Sequence, residues 1–445
     1  MINFKKSELY NGALQIFNVL RQKGFDAFFV GGCVRDSILG RQIKDIDIVT
    51  SALPSDIQSI FQKTYNIGEA FGIVNVVENS INYEVATFRK ESGYTDGRHP
   101  ESVEYAKTPQ EDSKRRDFTI NALYYSPLEN HILDFADGIS DLKKGILRTI
   151  GHAEDRFNED YLRMLRAIRF GIRFDFSIDD EIITAIKKLS SKTQLLSQER
   201  VRDELTKIFT GPCPDKALSL LDETGLLSVL LPDISAMKGI AQPEKYHPEG
   251  DVFEHTKLML SNMPVPSDEL AWAVLLHDVG KPQTFSIGED GNEKFICHAE
   301  HGTTIAERIL KELRFPSNFI DNVCFAVKNH MRFASVCDMR PSKYKALIAE
   351  STFPLELELH RIDCMSSNKF TDSFIYLLDK LIELNGVREL PEELIKGRDL
   401  IELGFIPGPK FGEILKNITE LQNDKVINTK EDALEYIKLN FLTKV

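Results

Sequence analysis

The sequence lacks any apolar stretch long enough to cross a membrane. A membrane-spanning helix needs about 20 consecutive apolar residues, and charged residues interrupt the apolar runs of this 445-residue chain well before that length. The first residues, MINFKKSELYNGAL, also lack the long apolar core of a signal peptide. We therefore expect no membrane partner and a cytoplasmic location.

Cysteine is scarce, and its spacing argues against a zinc ribbon. The six cysteines are scattered along the chain, and no two of them form a CxxC pair. Proteins of the reducing cytosol usually keep such thiols free. We therefore expect free thiols and no structural zinc site built from cysteine.

Positive charge is in deficit, which argues against a general nucleic-acid-binding surface. The chain has 55 Lys and Arg residues against 68 Asp and Glu residues, a net charge of -13. Proteins that bind nucleic acid are normally basic. Any polyanion must then be bound by local basic patches. The length itself predicts about two to four domains with sizeable cores.

The segment from Phe28 to Thr50 carries most of the readable chemistry. Phe28–Val30 is a short apolar run that ends in a diglycine, the pattern of a buried strand opening into a tight turn. Val34–Leu39 then predicts a helix, and Ile43–Val49 alternates apolar and acidic residues as a second strand does. Backbone N–H groups at a glycine-rich turn before a helix favour phosphate.

Three acidic residues are candidates for metal binding. Asp45 and Asp47 are two residues apart in the predicted strand, so their side chains should point the same way. Two adjacent carboxylates are costly without a cation between them, and oxygen ligands suit Mg²⁺. Glu84, in a later predicted strand, is the candidate third carboxylate of a two-metal site. The alternative for each of them is a solvated strand residue.

Two basic segments follow. The first, Lys114-Arg115-Arg116, stands immediately before an apolar strand, and the planar guanidinium of Arg116 suits phosphate and base edges. In the second, Asp160 and Arg163 are three residues apart on a predicted helix and could pair with a nucleobase edge. An intrahelical salt bridge is the alternative. Arg166 and Arg169 continue a basic stripe suited to phosphate.

The pattern changes near residue 150 from mixed to helical. Before it, short apolar runs predict further strands, including a hairpin of Ile73–Val77 with Ile81–Arg89 and strands at Ile120–Tyr125 and Ile132–Phe135. After it, apolar residues recur at three- and four-residue spacing. We expect an α+β chain: an α/β head with a mixed sheet, then an all-α neck, body and tail. The predicted domains are 1–150, 151–240, 241–385 and 386–445.

Taken in order, these motifs resemble one family. GGCVRD with DID, RRDFTINA, DFADGISDL and EDYLRMLRAIRF resemble the successive motifs of the class II tRNA nucleotidyltransferase/bacterial poly(A) polymerase family, over residues 10 to 235, with QERVRDEL as a later element. The resemblance implies that Asp45 and Asp47 bind catalytic Mg²⁺ and that Glu84 supports them.

The same resemblance implies a nucleotide site and a substrate. It implies that Asp160 and Arg163 act as an amino-acid template for cytosine or adenine. The other implied nucleotide-binding residues are Gly32, Arg35, Arg116, Arg166 and Arg169. The implied substrates are tRNA, CTP and ATP, with C, C and A added to the tRNA 3′ end.

The product is the part that the resemblance leaves open. Arg89–Val103 resembles the full flexible loop of CCA-adding members, which favours complete CCA addition over CC alone. Addition of A alone remains an alternative. Poly(A) synthesis is a further alternative, although the acidic chain fits poly(A) polymerases poorly.

Four histidine-containing segments mark the second half. HPEGDVFEHT, LLHDVGKP, FICHAEHG and KNHMRF follow in that order and resemble the HD phosphohydrolase superfamily. The resemblance implies a divalent metal of open identity. Its implied ligands are His255, His277, Asp278 and Asp363, with His298 and His330 for a second ion. The domain could hydrolyse 2′,3′-cyclic ends or be structural. A hydrolase with a non-catalytic, nucleotide-binding head is the alternative from another class.

Overall fold

The computed structural model describes residues 7–66, 72–94, 100–264, 266–289, 291–384 and 392–442, and only the backbone of residues 66, 91–94 and 100–103. The chain divides into two compact units, Met1–Ser235 and Ala236–Val445. Within the described ranges, every helix is too short or too polar to span a bilayer. All six cysteines are free, as expected.

A seven-stranded sheet forms the centre of the first unit. Its strands are β1 (Ala27–Val30), β2 (Asp47–Thr50), β3 (Thr64–Asn66), β4 (Ile73–Glu78), β5 (Ile81–Thr87), β8 (Leu123–Ser126) and β9 (His131–Asp134). Their order is β3-β4-β5-β2-β1-β8-β9. Because β2 pairs antiparallel with β1 and parallel with β5, the sheet is mixed, and the predicted fold class is confirmed.

Helices and small sheets complete this unit. The helices are α1 (Glu8–Gln22), α2 (Gly32–Ile38), α3 (Pro54–Ile60), α4 (Pro109–Ser113), α5 (Gly138–Lys144), α6 (Ala153–Glu159), α7 (Leu162–Phe174), α8 (Asp180–Leu189), α9 (Gln198–Phe209), α10 (Pro214–Glu223), α11 (Leu226–Leu230) and α12 (Pro232–Ser235). The two-stranded sheets pair β6 (Arg89–Tyr94) with β7 (Pro100–Tyr105) and β10 (Ile146–Leu147) with β11 (Ser177–Ile178).

Helix α1 shows how the sequence builds the core of the sheet. The Ser7 side chain caps it by accepting a hydrogen bond from the Tyr10 amide. Ile16, Phe17 and Leu20 are buried along one face of the helix. The Phe17 ring meets the Phe29 ring of β1 edge to face, with centroids 6.1 Å apart. The apolar spacing of α1 is thus what covers one side of the central strands.

The predicted hairpin is present as β4 and β5. Its two turn residues, Asn79 and Ser80, have φ values of 51° and 64°. Positive φ at both central residues suits the right-handed twist of the paired strands. The prediction for Ile120–Tyr125 was wrong in its first half, because Thr119–Asn121 form a 3₁₀ turn before β8 begins.

The prediction of a strand from Ile43 was also wrong at its start. Strand β2 begins only at Asp47, which is the partner of Val30 at the end of β1. Residues 41–46 have no regular structure. Because β1 is four residues long, it offers no ladder partner to residues before Asp47. Asp45 therefore stands in the loop that leads into β2.

The second unit is almost wholly helical. Its elements are α13 (Val252–Ser261), α14 (Asp268–Leu276), α15 (Lys281–Thr284), β12 (Phe285–Ile287), β13 (Glu293–Phe295), α16 (His298–Glu312), α17 (Ser317–Asn329), α18 (Pro341–Ala349), α19 (Phe353–Ser366), α20 (Asp372–Glu383), α21 (Gly397–Glu402), α22 (Pro409–Asn423) and α23 (Lys430–Ile437). Every residue of α14 from Leu270 to Leu276 is buried, as in a central core helix. His277 follows it directly.

Candidate active site and metal centre

A cavity of about 690 Å³ opens in the first unit beside the start of β2. It is lined by Gly31, Gly32, Arg35, Asp36, Lys44, Asp45, Asp47, Arg116, Asp117, Asn121, Arg166, Arg169, Phe170, Ile172, Arg173, Lys207, Ile208, Thr210, Gly211 and Pro212. Seven predicted site residues lie in this lining: two acidic residues, four arginines and one glycine. The sequence motifs therefore meet at one place in the fold.

The three predicted carboxylates lie near each other without forming a tight cluster. Ile48 is level with Val85 in the parallel pair of β2 and β5, so Asp47 and Glu84, one residue earlier, share a face. Burial, with the charges of Asp45 and Glu84, raises the pKa of Asp47 to about 7. Oxygens of the three side chains do not all come within 4.8 Å of one another. A cation would relieve this repulsion, so the donor set fits Mg²⁺.

The diglycine forms the turn between β1 and α2. Gly31 has a φ of 71°, which a residue with a side chain rarely adopts. An added Cβ there would lie 3.6 Å from the Asn121 carbonyl oxygen and 3.7 Å from Nη1 of Arg116. The turn thus brings the start of α2 close to Arg116 at the cavity wall.

Arg116 is held from behind by a buried polar group. Its Nε donates to Tyr124 Oη at 3.0 Å, and its Nη2 donates to Asp112 Oδ2 at 3.1 Å. Burial alone would raise the pKa of Asp112, but Arg116 and Arg115 lower it to about 2. The ionised carboxylate fixes one edge of the guanidinium and leaves the rest of Arg116 at the cavity.

Three further arginines reach the cavity through ion pairs. Arg35, on α2, donates from Nε to Asp36 Oδ1 at 2.8 Å. Arg166, on α7, donates from Nη2 to Asp117 Oδ2 at 2.6 Å, and Arg169 donates from Nε to Glu204 Oε2 at 2.6 Å. Each carboxylate orients its arginine but does not surround the whole guanidinium group. The cavity wall therefore remains suited to binding phosphate.

The structure corrects the predicted helical pair of Asp160 and Arg163. Asp160 lies in the break between α6 and α7, with φ -149° and ψ 105°, and α7 begins only at Leu162. Its Oδ1 accepts a hydrogen bond from the Leu162 amide at 3.1 Å. A short Asp side chain that bonds to nearby backbone competes with the helix in this way. The two residues are therefore not on one helical face.

Asp160 and Arg163 also have other partners. Asp160 Oδ2 accepts from Nη2 of Arg200 at 2.7 Å. Arg163 is buried and pairs with Glu159, and its Nη2 donates to the Arg115 carbonyl at 2.8 Å. Neither residue lines the cavity. The predicted base-reading pair thus stands outside the cavity wall, engaged with protein groups.

The structure describes the two arms of the loop that was predicted to distinguish products. Its two arms form the antiparallel pair of β6 and β7, with Arg89 level with Tyr105. Residues 95–99, at the centre of the predicted Arg89–Val103 loop, lie outside the described residues.

Sequence reasoning missed several cavity residues. Lys44 directly precedes Asp45, and its place beside the metal candidates was a usable signal. Lys207 and the Thr210–Pro212 turn come from the end of α9, more than 150 residues along the chain from the diglycine. No local pattern could have assigned those residues to the site.

The second unit brings all six predicted metal ligands together. His255 Nε2 lies 3.2 Å from Asp363 Oδ1, and His277 Nε2 lies 3.0 Å from Asp278 Oδ2. Asp278 Oδ1 lies 3.6 Å from Nε2 of His298 and 3.7 Å from Nε2 of His330. Two of the compact groups that could hold a metal ion are His255-His277-Asp278 and Asp278-His298-His330.

Backbone carbonyls orient three of these imidazoles. Nδ1 lies 2.8 Å from the Val274 carbonyl oxygen in His277, 2.9 Å from that of Phe295 in His298 and 2.7 Å from that of Val327 in His330. In each case the acceptor is three residues earlier in the chain. A proton on Nδ1 leaves the Nε2 lone pair free to bind a metal.

Buried polar atoms at this centre lack hydrogen bonds. Nε2 of His277 and Oδ1 of Asp278 are buried, and neither makes a well-oriented hydrogen bond to a described atom, although this Nε2 lies 3.0 Å from Oδ2 of Asp278. Buried polar groups are rarely left in this state. Imidazole nitrogens and carboxylate oxygens aimed at one point are typical ligands of a divalent transition metal. The donor set therefore fits a metal ion.

Two residues around this centre were not expected from the sequence. Lys281 Nζ lies 2.6 Å from Asp278 Oδ2, and the HDVGK spacing could have indicated it. Glu249 Oε1 lies within hydrogen-bond distance of Nδ1 of both His247 and His255. It precedes α13 in an irregular segment, so no periodicity pointed to it.

A second cavity, of about 550 Å³, adjoins these ligands. Asp278, His298, His330 and Asp363 contribute to its wall. Aromatic side chains of Tyr246, Phe295 and Phe370 line it as well. A small molecule in this cavity would meet the candidate metal ligands on one side and aromatic surface on another.

Comparison with family models assigns three segments. Residues 27–148 match the Poly A polymerase head domain. Residues 175–238 match the probable RNA and SrmB-binding site of polymerase A, and residues 250–352 match the HD domain.

Two relatives that match over nearly their whole length are CCA-adding enzymes. The chain is 34% identical over 439 residues to the CCA-adding enzyme of Ligilactobacillus salivarius, with 96% of each protein covered. It is 32% identical over 437 residues to the CCA-adding enzyme of Anoxybacillus flavithermus, with 98% of each protein covered. Among solved structures, it matches the Bacillus stearothermophilus CCA-adding enzyme in complex with CTP with a TM-score of 0.74, at 28% identity and with 99% of each chain covered.

Proposed function

This chain belongs to the family of CCA-adding enzymes, and we propose on that premise that it adds C, C and A to the 3′ end of tRNA from CTP and ATP. No nucleic-acid template is needed. The observation that carries the proposal is the single cavity in which Asp45 and Asp47 face Arg35 and Arg116. Poly(A) synthesis and a non-catalytic head are not favoured, because the full-length relatives are CCA-adding enzymes.

The reaction is attack of the tRNA 3′-hydroxyl on the α-phosphate of the nucleotide. The 3′-hydroxyl loses its proton to solvent as its oxygen bonds to the α-phosphorus. The bond from that phosphorus to the oxygen bridging the α- and β-phosphates breaks, so the nucleotide stays on the tRNA and pyrophosphate leaves. Mg²⁺ bound by Asp45 and Asp47, with Glu84 in support, would lower the pKa of the 3′-hydroxyl and neutralise charge on the leaving group. The proximity of the three carboxylates and the raised pKa of Asp47 support this ligand assignment.

The protein's own groups orient the nucleotide in this proposal. Arg35 and Arg116 are fixed by Asp36 and Asp112, so their remaining N–H groups can bind phosphate oxygens without further ordering. Gly32 allows the nucleotide to approach the backbone at the start of α2. Arg166 and Arg169 bind on the phosphate side of the same cavity.

Base selection falls to Asp160 and Arg163 in this proposal. A carboxylate acceptor and a guanidinium donor can match the edge of cytosine or adenine. Both would first exchange their partners, Arg200 and Glu159, for the base. This exchange of a charged partner for the neutral edge of a base would need side-chain rotation rather than refolding.

We also propose the remaining organisation. The head would extend over 1–150, the neck over 151–240, the HD domain over 241–385 and the tail over 386–445. The first three ranges are supported by family models that fall inside them, at 27–148, 175–238 and 250–352. The reaction would take place in the cytoplasm, where tRNA is matured, and the free thiols fit a reducing compartment.

One assay tests the main proposal. Purified protein is incubated with tRNA that ends before CCA, with CTP alone, ATP alone or both, and products are resolved at single-nucleotide length. Two additions with CTP and a third only with both nucleotides are expected. Open-ended runs of A, a single A, or additions that stop after CC even with ATP would each contradict full CCA addition.

The second unit supports an additional activity. We propose that His255, His277, Asp278 and Asp363 bind one divalent metal and that His298 and His330 bind a second, for hydrolysis of a phosphate ester. The convergence of buried Nε2 and carboxylate atoms on one point favours this candidate. A metal-bound water would be the nucleophile.

Metal binding and hydrolysis can be tested separately. Chelator-treated protein is titrated calorimetrically with Mn²⁺, Ni²⁺ and Zn²⁺, and hydrolysis of bis(p-nitrophenyl) phosphate is followed with each ion. Stoichiometric binding that His277→Ala removes supports the metal site. Hydrolysis that requires the bound ion supports the activity, and binding without hydrolysis would leave a structural metal.

A further inference from the structure

Three arginines surround one aromatic ring at the edge of the first cavity. The guanidinium carbon lies 4.6 Å from the centre of the Phe174 ring in Arg35, 4.9 Å in Arg41 and 5.2 Å in Arg173. The ring itself is buried at the end of α7, against Phe170 and Phe176. Three cations are thus held close together by a fixed apolar platform.

Their positive charge exceeds what the nearby acidic groups neutralise. Asp36 accepts from Arg35 at 2.8 Å, and its other oxygen lies 3.5 Å from Nη2 of Arg173. Among the residues that the structure describes, no carboxylate lies within 4.0 Å of the Arg41 guanidinium. Burial is the main cause that lowers the pKa of Arg173, and the like charges of Arg35 and Arg41 add to this effect.

These charges lie on the outer side of the cavity. Arg173 lines it with its side chain 39% exposed, and Lys44, which is exposed, lines it next to Asp45. Arg41 is exposed three residues before Lys44. Arg35 is buried and Arg116 is mostly so, which places the groups assigned to the nucleotide deeper in the wall. An anion bound by Arg41, Arg173 and Lys44 would therefore extend from solvent toward Asp45.

We propose that Arg41 and Arg173, with Lys44, bind backbone phosphates of the RNA next to its reacting 3′ end. Guanidinium groups bind phosphate oxygens in a bidentate manner, and packing on Phe174 limits the side-chain freedom lost on binding. Such contacts carry no sequence information, so they suit an end that must be bound before each of several additions. This inference rests on the proposed function, because it assumes an RNA substrate at Asp45.

The dependence of RNA binding on salt tests this inference. Each phosphate contact made by a cation contributes about 0.7 to the slope of log K against log salt for single strands, and about 0.9 for duplexes. Arg41→Ala and Arg173→Gln should each lower the slope for tRNA by about that amount, and the double variant by both. The KM for tRNA should rise while the KM for CTP stays unchanged.

Two further variants separate charge from structure. Arg41→Lys keeps the charge and should retain the salt slope, with a smaller rise in KM. Arg21→Ala removes the same residue type from α1, where Arg21 pairs with Asp26 away from the cavity, and should change neither parameter. Arg41 is exposed, so its loss should not lower the melting temperature.

The possible failures are distinguishable. A raised KM for CTP with unchanged tRNA binding would overturn the inference and assign these arginines to the triphosphate. Unchanged salt slopes in both variants would also overturn it, with CCA addition by the wild type still supporting the proposed function. A wild type that adds no nucleotide would overturn the proposed function itself.

Discussion

The two candidate metal sites of this chain are prepared for a cation in opposite ways. In the first unit, Asp45 is in a loop, Asp47 begins a strand and Glu84 is exposed on the next one. Their oxygens do not all lie within 4.8 Å of one another, and burial, with the charges of Asp45 and Glu84, raises the pKa of Asp47 to about 7. In the second unit, backbone carbonyls orient three of the four imidazoles, Glu249 contacts the fourth, and the candidate ligands lie close together.

This difference matches what each site would do. Oxygen ligands that are not yet gathered suit Mg²⁺, which keeps several waters and usually binds together with substrate phosphates. Nitrogen ligands already in position suit a transition metal that stays with the protein. In the first unit, the substrate would thus supply part of the metal's ligands. In the second unit, the chain itself would supply them.

The largest effect is expected from Asp47→Asn. Nucleotide addition should fall by about a thousandfold or more, because a metal ligand contributes several kcal/mol to transition-state stabilisation. The melting temperature should not fall, since the change removes a carboxylate whose charge is disfavoured in the fold. Single-turnover addition assays and thermal melts check both points, and retained addition would contradict the ligand assignment.

His277→Ala should impair the second site and leave the first unchanged. Affinity of the second unit for its metal should fall by at least about 100-fold, because a ligand contributes more than the groups that orient it. Nucleotide addition should be unchanged. Calorimetric titration of the chelator-treated variant and the addition assay measure the two readouts. Loss of addition in a folded variant would break the separation between the sites.

Glu249→Gln should have an intermediate effect. Glu249 contacts Nδ1 of His255 and so orients Nε2 toward the metal position. Replacing a carboxylate that hydrogen-bonds to a metal ligand typically lowers metal affinity by about 10–100-fold. Glu254→Gln, an exposed change on α13 beside Lys257, is the matched control. Equal metal affinities of the two variants would show that the three imidazoles oriented by carbonyl groups are enough for metal binding.

The smallest effect is expected in the number of protons that the first unit releases when it binds Mg²⁺. With its pKa near 7, Asp47 is mostly protonated at about pH 6 and mostly ionised at about pH 8. Mg²⁺ binding by the first unit should therefore release close to one proton at the lower pH and much less at the higher. Calorimetry in buffers of different ionisation enthalpy measures this release. Asp47→Asn should abolish it, and a release that did not change with pH would contradict the raised pKa.

Local motifs predicted the parts of the sites that are close in sequence. The diglycine, Asp45, Asp47 and Arg116 line one cavity, because each stands at the end of a short element or in the loop beside one. The strand from Ile43 failed because strand length depends on the partner, and β1 is only four residues long. The helix through Asp160 failed because its side chain bonds to the Leu162 amide and ends the helical run.

Other features depend on distant packing. His255 and Asp363 lie more than 100 residues apart, and the prediction that they belong to one centre came from family resemblance rather than from spacing. Phe174 reads as an ordinary core residue, and nothing in its neighbourhood indicates that Arg35 of α2 and Arg41 of the loop after α2 contact its ring. Glu249 has no periodic signal at all.

The carbonyl contacts of the three imidazoles bear on the order of events as the protein matures. Each ring is anchored to the helix end or turn that carries it, so the second unit can acquire its shape without an ion. Zinc fingers, by contrast, are unfolded until metal arrives. The second unit should instead keep its fold after chelation, a difference that thermal melts with and without a chelator measure.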